Sequence, residues 1–176
     1  QDGGHNPPYN PAPMGTRIPA LRHPEKAASR PILPQPKSLT RRTGEFRLKA
    51  GMSLKLPTAS DTTDSRMPFA AMQAKRDIFD QTGLELSVEP SVPGEFVSAS
   101  VTCQFDRSAA ISPRSATARD AYRLKVRSGD VVISAPTEAG LRFGLQSFCQ
   151  LISKSGRVPA LDILDQPDFR DRGIML

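Results

Sequence analysis

From Val97 to Phe105 the chain alternates without a break. Val97, Ala99, Val101, Cys103 and Phe105 are apolar; Ser98, Ser100, Thr102 and Gln104 between them are polar. Successive side chains of an extended strand point to opposite faces. A period of two over nine residues therefore describes a strand with one buried and one polar face. Such a strand belongs in a sheet that is covered on one side only.

The other segments place strands and helices around this one. A first strand is expected through Glu45-Phe-Arg-Leu-Lys49 and a second at Ser53-Leu-Lys-Leu56, with Ala50-Gly51 between them and Pro57 as a stop. A first helix is expected over about 66 to 82. Asp64 and Ser65 offer capping oxygens, Pro68 suits a first turn, and Gly83 is a natural residue just past the end. Phe69, Met72, Ile78 and Phe79 share one broad face of that helix. Leu84-Glu-Leu-Ser-Val88 reads as a strand ended by Pro90 and Pro93, and 106–120 as a Ser/Arg/Pro-rich loop. Tyr122, Leu124 and Val126 alternate, as do Val131 and Ile133, with a hairpin turn marked by Ser128-Gly129.

A second helix begins after Pro136. Thr137 serves as its N-cap, and Glu138 sits favourably against the helix dipole. Leu141, Leu145, Phe148 and Ile152 form its apolar stripe, with Gly140 and Gly144 one turn apart on an adjacent line. Each glycine costs a helix ~1 kcal/mol relative to alanine. The pair predicts close approach to another backbone, either of the sheet or of a further domain. Runs of strands with two intervening helices favour an α+β fold over a βαβ repeat.

Length and composition limit the rest. A chain of 176 residues suits one compact domain with tails. Residues 1–36 hold nine of the 17 prolines, so 1–30 reads as an extended, poorly ordered leader. The net charge of +6 lies entirely within residues 1–50, leaving the remainder neutral. The basic residues are dispersed and lack interleaved aromatics, which fits a solvated tail and not a nucleic-acid footprint. No apolar run is long enough to be a transmembrane helix. The chain begins at Gln1 with no basic-then-apolar signal segment, compatible with a leader already removed. Cys103 and Cys149 fall on apolar faces and read as free buried thiols; their spacing alone does not settle whether they are bonded.

No catalytic constellation is legible. The only histidines, His5 and His23, lie in the leader, and there is no H-E-x-x-H, so neither a zinc site nor a Ser-His-Asp or Cys-His arrangement is expected. The Gly140/Gly144 pair lies inside a helix instead of opening one, so it makes no phosphate loop, and no cofactor is expected. Asp162, Asp165, Asp168 and Asp171 recur every three residues; they suggest a glycosidase carboxylate pair, but Pro167 interrupts them and a connector is the better reading. The chain closes on Ile174-Met175-Leu176, an apolar run with no turn or cap, so a piece of a longer protein is expected, cut where a second domain begins.

Three segments together carry a family resemblance. Gly140 to Leu151 follows the pattern G-x-x-x-G-L-Q-[ST]-x-x-Q-L, Val158-Pro159 comes next, and Asp165 to Leu176 follows D-x-P-x-F-x-x-R-G-x-M-L. This resembles the junction in the glycoside hydrolase family 20 enzymes, the β-N-acetylhexosaminidases, between an N-terminal α+β domain and a (β/α)8 barrel. Pro31-Ile-Leu-Pro-Gln-Pro-Lys37 and the hairpin at 121–135 are weaker echoes of the same domain. The resemblance implies a mainly antiparallel sheet with two helices on one face, zincin-like in shape, over residues 31–165, with a junction and truncated first barrel strand over 166–176.

It also implies a function shared with residues outside this chain. In the family an adjacent Asp-Glu pair in the barrel performs substrate-assisted hydrolysis of terminal N-acetylglucosamine or N-acetylgalactosamine, so this chain alone is expected to be inactive. The implied partners are the barrel and the amino-sugar substrate, with no nucleic acid. Arg172 matches the family's sugar-binding arginine, whose planar fork suits adjacent hydroxyls; the alternative is an ion pair with Asp168 or Asp171. Phe148-Cys149 and Arg170-Asp171 depart from the usual pattern, which bears on subtype. Related domains occur in families 84, 89 and 67, although Arg-Gly-Ile-Met-Leu leans to family 20. A stand-alone interaction or glycan-binding module is the reading from another class. The family's habit implies a secreted or periplasmic protein.

Overall fold

A computed structural model describes residues 32–57, 67–91 and 100–168. Among the described residues seven strands and two α-helices follow one another. They are β1 (Ser38–Arg47), β2 (Ser53–Pro57), α1 (Met67–Thr82), β3 (Ser87–Ser91), β4 (Val101–Phe105), β5 (Tyr122–Val126), β6 (Val131–Ala135), α2 (Glu138–Leu151) and β7 (Arg157–Asp165). The strands make a single sheet in the order β1-β7-β5-β6-β4-β2-β3. The antiparallel ladders β1–β7, β7–β5 and β5–β6 include the longest strands. Parallel ladders join β6 to β4, β4 to β2 and β2 to β3. The β2–α1–β3 crossover makes the last of these parallel, because a helix must carry the chain back before the next strand starts. The fold is the expected α+β one: a mainly antiparallel sheet with both helices packed together on one face.

Strand register explains the core. Leu54, Val101, Val131, Val126 and Leu161 align in one row across five strands, and Cys103, Ile133, Leu124 and Ile163 form the next. All are buried beneath the helices. Burying an aliphatic side chain contributes roughly 1.5–3 kcal/mol, so these two rows hold the sheet to the helix pair. Within the described part of the Val97–Phe105 alternation Val101 and Cys103 are inside and Gln104 is exposed, but the pattern fails at both ends: Ser100 is buried and Phe105 is 46% exposed. Val97 and Ala99 lie outside the described residues, as does the leader 1–30.

α2 bears out its sequence pattern. Leu141, Leu145, Phe148 and Ile152 are all buried. Thr137 Oγ1 caps the first turn by accepting from Gly140 N at 3.4 Å, and its hydroxyl donates to the Arg119 carbonyl. The two glycines approach the sheet. A Cβ at Gly140 would collide with the Ala121 carbonyl oxygen and lie 2.7 Å from Ala135 Cβ; one at Gly144 would collide with Ile133 Cγ2. The Tyr122 and Ser147 hydroxyls share a buried hydrogen bond of 2.7 Å across the same seam. The turn between β5 and β6 closes through Arg127 N–H to Asp130 O at 2.9 Å.

Four features differ from the sequence reading. β1 starts seven residues earlier than expected, because an exposed edge strand carries almost no apolar alternation; only Phe46 in it is buried. β3 is shifted to Ser87–Ser91 and contains Pro90, which an edge strand tolerates because one side needs no ladder donor. β7 has no counterpart among the expected strands, and its last residues, Asp162 to Asp165, belong to the series expected to form a connector. Its Pro159 sits opposite Glu45, beside the register shift in β1 between Arg41 and Glu45, where a missing N–H is accommodated. Finally, α1 divides its apolar residues. Met67, Ala71, Ala74 and Ile78 face inward at spacings of four, three and four, whereas Phe69 (75% exposed), Met72 (58%) and Phe79 (51%) face outward.

Candidate functional site

Asp162, Asp165 and Asp168 are each engaged in holding the fold. Asp162, on β7, accepts hydrogen bonds from Arg127 Nη2 at 2.6 Å and Arg42 Nε at 2.8 Å, bridging β5 and β1. Burial alone would raise its carboxyl, but the hydrogen bonds from Arg127 and then Arg42 outweigh burial and hold it below the usual carboxylate range. Asp165 accepts from the Lys37 backbone N–H at 3.1 Å, and Asp168 pairs with Lys37 Nζ at 2.6 Å. These three carboxylates tie β7 and its exit to β1 and the segment leading into it. Asp171 and Arg172 lie outside the described residues, so the predicted sugar-binding arginine has no geometry here.

Two grooves are large enough to admit a small ligand. One, about 290 Å³, runs between the helices past Phe69, Gln73, Asp77, Arg142, Gln146 and Cys149. Asp77 is its single carboxylate, and burial pushes the Cys149 thiol up to about 12, which leaves it protonated and a poor nucleophile. The other, about 530 Å³, lies between the lead-in segment and β7 and is lined mainly by Leu33, Pro36, Leu39, Pro159 and Leu161. Neither aligns a nucleophile with a base. Among the described residues no cluster of His, Cys, Asp and Glu is suited to a metal ion. Cys103 and Cys149 are both free and buried, and burial raises the Cys103 thiol to about 12 as well.

The most organised polar feature is the chain's exit. Gln166 is buried, and both ends of its amide are occupied: Oε1 accepts from Ser112 N at 2.9 Å, and Nε2 donates to Thr117 Oγ1 at 3.1 Å. The lead-in segment is clamped similarly at the other end of the domain. Gln150 Oε1 accepts from Leu33 N at 2.8 Å, and Gln150 Nε2 donates to Leu33 O at 2.9 Å. The sequence held no local signal for the Gln166 contact, since its partners lie 49 and 54 residues away.

This arrangement of sheet, helices and anchored exit matches a known domain. Residues 29–166 match the family model described as glycosyl hydrolase family 20, domain 2. The chain belongs to this family. Solved family 20 structures share the fold. The Streptomyces plicatus N-acetyl-β-hexosaminidase in complex with Thio-NAglucal aligns with a TM-score of 0.61 at 19% identity, covering 81% of this chain and 27% of that one. The Flavobacterium johnsoniae chitobiase aligns at 0.59 and 24% identity, covering 80% and 21%. The Bacteroides fragilis β-N-acetylhexosaminidase aligns at 0.53 and 20%, covering 76% and 24%. The chain thus spans about a quarter of the length of these relatives.

Proposed function

We propose that this chain is the N-terminal, non-catalytic module of a β-N-acetylhexosaminidase. The whole enzyme would remove terminal β-linked N-acetylglucosamine or N-acetylgalactosamine by substrate-assisted retention, with its Asp-Glu pair in a barrel that follows. The observation that carries this reading is the match of residues 29–166 to domain 2 of the family, continued by the Asp165–Leu176 junction pattern. Arg172 takes the role of a substrate-binding residue, donating from its fork to hydroxyls of the terminal sugar. Export to the periplasm or medium follows from the family's habit.

The test compares two proteins with a chromogenic N-acetylglucosaminide. The full-length enzyme turns it over and the 176-residue chain does not; turnover that copurifies with the short chain and scales with it overturns the assignment. In the full-length enzyme, Arg172→Lys keeps the charge but loses the fork. Lost hydrogen bonds to a buried polar substrate cost ~1–3 kcal/mol, about tenfold to a hundredfold in kcat/KM, with the melting temperature nearly unchanged. Unchanged kinetics would remove the sugar-binding role, and a large fall in melting temperature would favour an ion pair at the junction.

A further inference from the structure

We infer that the face of the sheet turned away from the helices binds a linear polysaccharide that carries carboxylate or sulfate groups. This binding goes beyond the hydrolase reading above and does not depend on it.

Strand register places a row of cations on that face. Arg123 and Lys125 alternate on β5 with Tyr122, Leu124 and Val126, which are buried beneath the helices. Their own side chains therefore stand on the opposite face, about 6.8 Å apart along the strand. Asp162 lies between the inward Leu161 and Ile163, so it too faces away from the helices. Arg127, just past the end of β5, reaches Asp162 Oδ1 at 2.6 Å, and Arg42 reaches its Oδ2 from β1 at 2.8 Å. Four cations thus share one side of the sheet.

Charge on this side is unbalanced. Both oxygens of Asp162 already accept from Arg42 and Arg127, although Lys125 is its cross-strand neighbour. Asp106 feels Arg123 and Lys125, but its Oδ1 is occupied by the backbone N–H and hydroxyl of Ser108. Asp77 and Asp80 belong to α1, on the other side of the sheet. Lys125 is exposed, and the side chains of Arg42 and Arg127 are 54% and 41% exposed. An approaching anion meets these groups directly, and the surplus positive charge draws it in.

The rest of the face selects the kind of anion. Thr102, Gln104 and Ser134 continue it with hydroxyl and amide groups, Gln104 Nε2 donating to Ser134 Oγ at 3.2 Å. Guanidinium forks take paired carboxylate or sulfate oxygens, and the neutral groups beside them suit sugar hydroxyls. Single-stranded nucleic acid is held by aromatic side chains on which its bases stack. None stands on the outward positions of the described strands; Phe46 and Tyr122 are turned inward and buried. An anionic bilayer needs an apolar patch to enter it, and the outward Val132 and Leu164 are half-buried.

Calorimetric titration of the 176-residue chain with polygalacturonate, heparin and neutral dextran tests this. Saturable binding is expected to at least one of the two polyanions and not to dextran, weakening as salt rises. The tighter of the two shows whether carboxylate or sulfate is preferred. Arg123→Gln/Lys125→Gln should weaken that binding about threefold or more and flatten its salt dependence. Arg76→Gln/Lys154→Gln removes the same charge at exposed positions on α1 and after α2, and should leave affinity within about 1.5-fold of the parent. Residues 1–36 are common to all the variants, so the comparison isolates the sheet face. No saturable binding of either polyanion, equal losses in the two double variants, or tighter binding of oligothymidylate overturns the proposal. If circular dichroism shows the Arg123/Lys125 double variant to be misfolded, Lys125→Gln alone, at an exposed position, should weaken binding about twofold, and an unchanged affinity overturns the proposal equally.

Discussion

Replacing Gly140 with alanine sets two opposed effects against each other, and the structure decides the winner. In an exposed helix the change stabilises by ~1 kcal/mol, because alanine loses less backbone freedom on folding. At Gly140 the added methyl would overlap the Ala121 carbonyl oxygen and come within 2.7 Å of Ala135 Cβ. The first obstacle is backbone, held where β5 begins, and cannot rotate aside as a flexible side chain would. Overpacking of this kind costs typically 1–3 kcal/mol and sometimes more. Because the obstacle is backbone, the cost falls at the upper end of that range; with the helical gain subtracted, Gly140→Ala is expected to destabilise the domain by about 2 kcal/mol, lowering the melting temperature by roughly 4 °C for each kcal/mol. Gly129→Ala is the matched control. Nothing lies within 4 Å of its added methyl, and its φ is not in the left-handed region. That change should be neutral or stabilise by up to about 1 kcal/mol through the unfolded chain. Urea and thermal unfolding of both variants, followed by circular dichroism, measure the difference. A Gly140→Ala protein as stable as the parent or more so would refute the claim that this glycine exists to let α2 reach the sheet.

Two further outcomes follow from the charges and thiols. Asp162→Asn should destabilise the domain by about 1 kcal/mol at neutral pH, a modest figure because Arg42 and Arg127 are each about half exposed. The folded carboxyl lies below its unfolded value, so its contribution is full above the ordinary carboxylate range and is lost as pH falls through the folded pKa; unfolding curves should differ at pH 7 and converge in strong acid, and a constant gap across that range would count against the ion triad. Cys103 and Cys149 should resist a thiol-specific reagent near pH 8 in the native protein and react fully in denaturant, because burial both shields them and raises their thiols to about 12; rapid native labelling of either would show the core to be open.

Local chemistry alone carried the elements with strong internal signals. The period of two in β5 and β6 and in the centre of β4, the Thr137 cap, the α2 stripe and the Gly140/Gly144 pair are all properties of residues close together in the chain, and each is found where expected. The junction pattern likewise pointed to the family without reference to a fold. What depended on tertiary structure involves partners far apart. A period of two tells which face of a strand is buried but not which strand lies beside it, so the parallel ladders and the insertion of β7 between β1 and β5 were not legible. Pro159 and polar β1 hid an edge pair that only the ladder reveals. On α1 the buried face falls on Met67, Ala71, Ala74 and Ile78, which leaves Phe69, Met72 and Phe79 outward against their hydrophobicity. The engagement of Asp162 by two arginines and of Gln166 by Ser112 and Thr117 arises the same way. Each joins groups separated by dozens of residues, and a sequence holds no distance between such groups until the chain has folded.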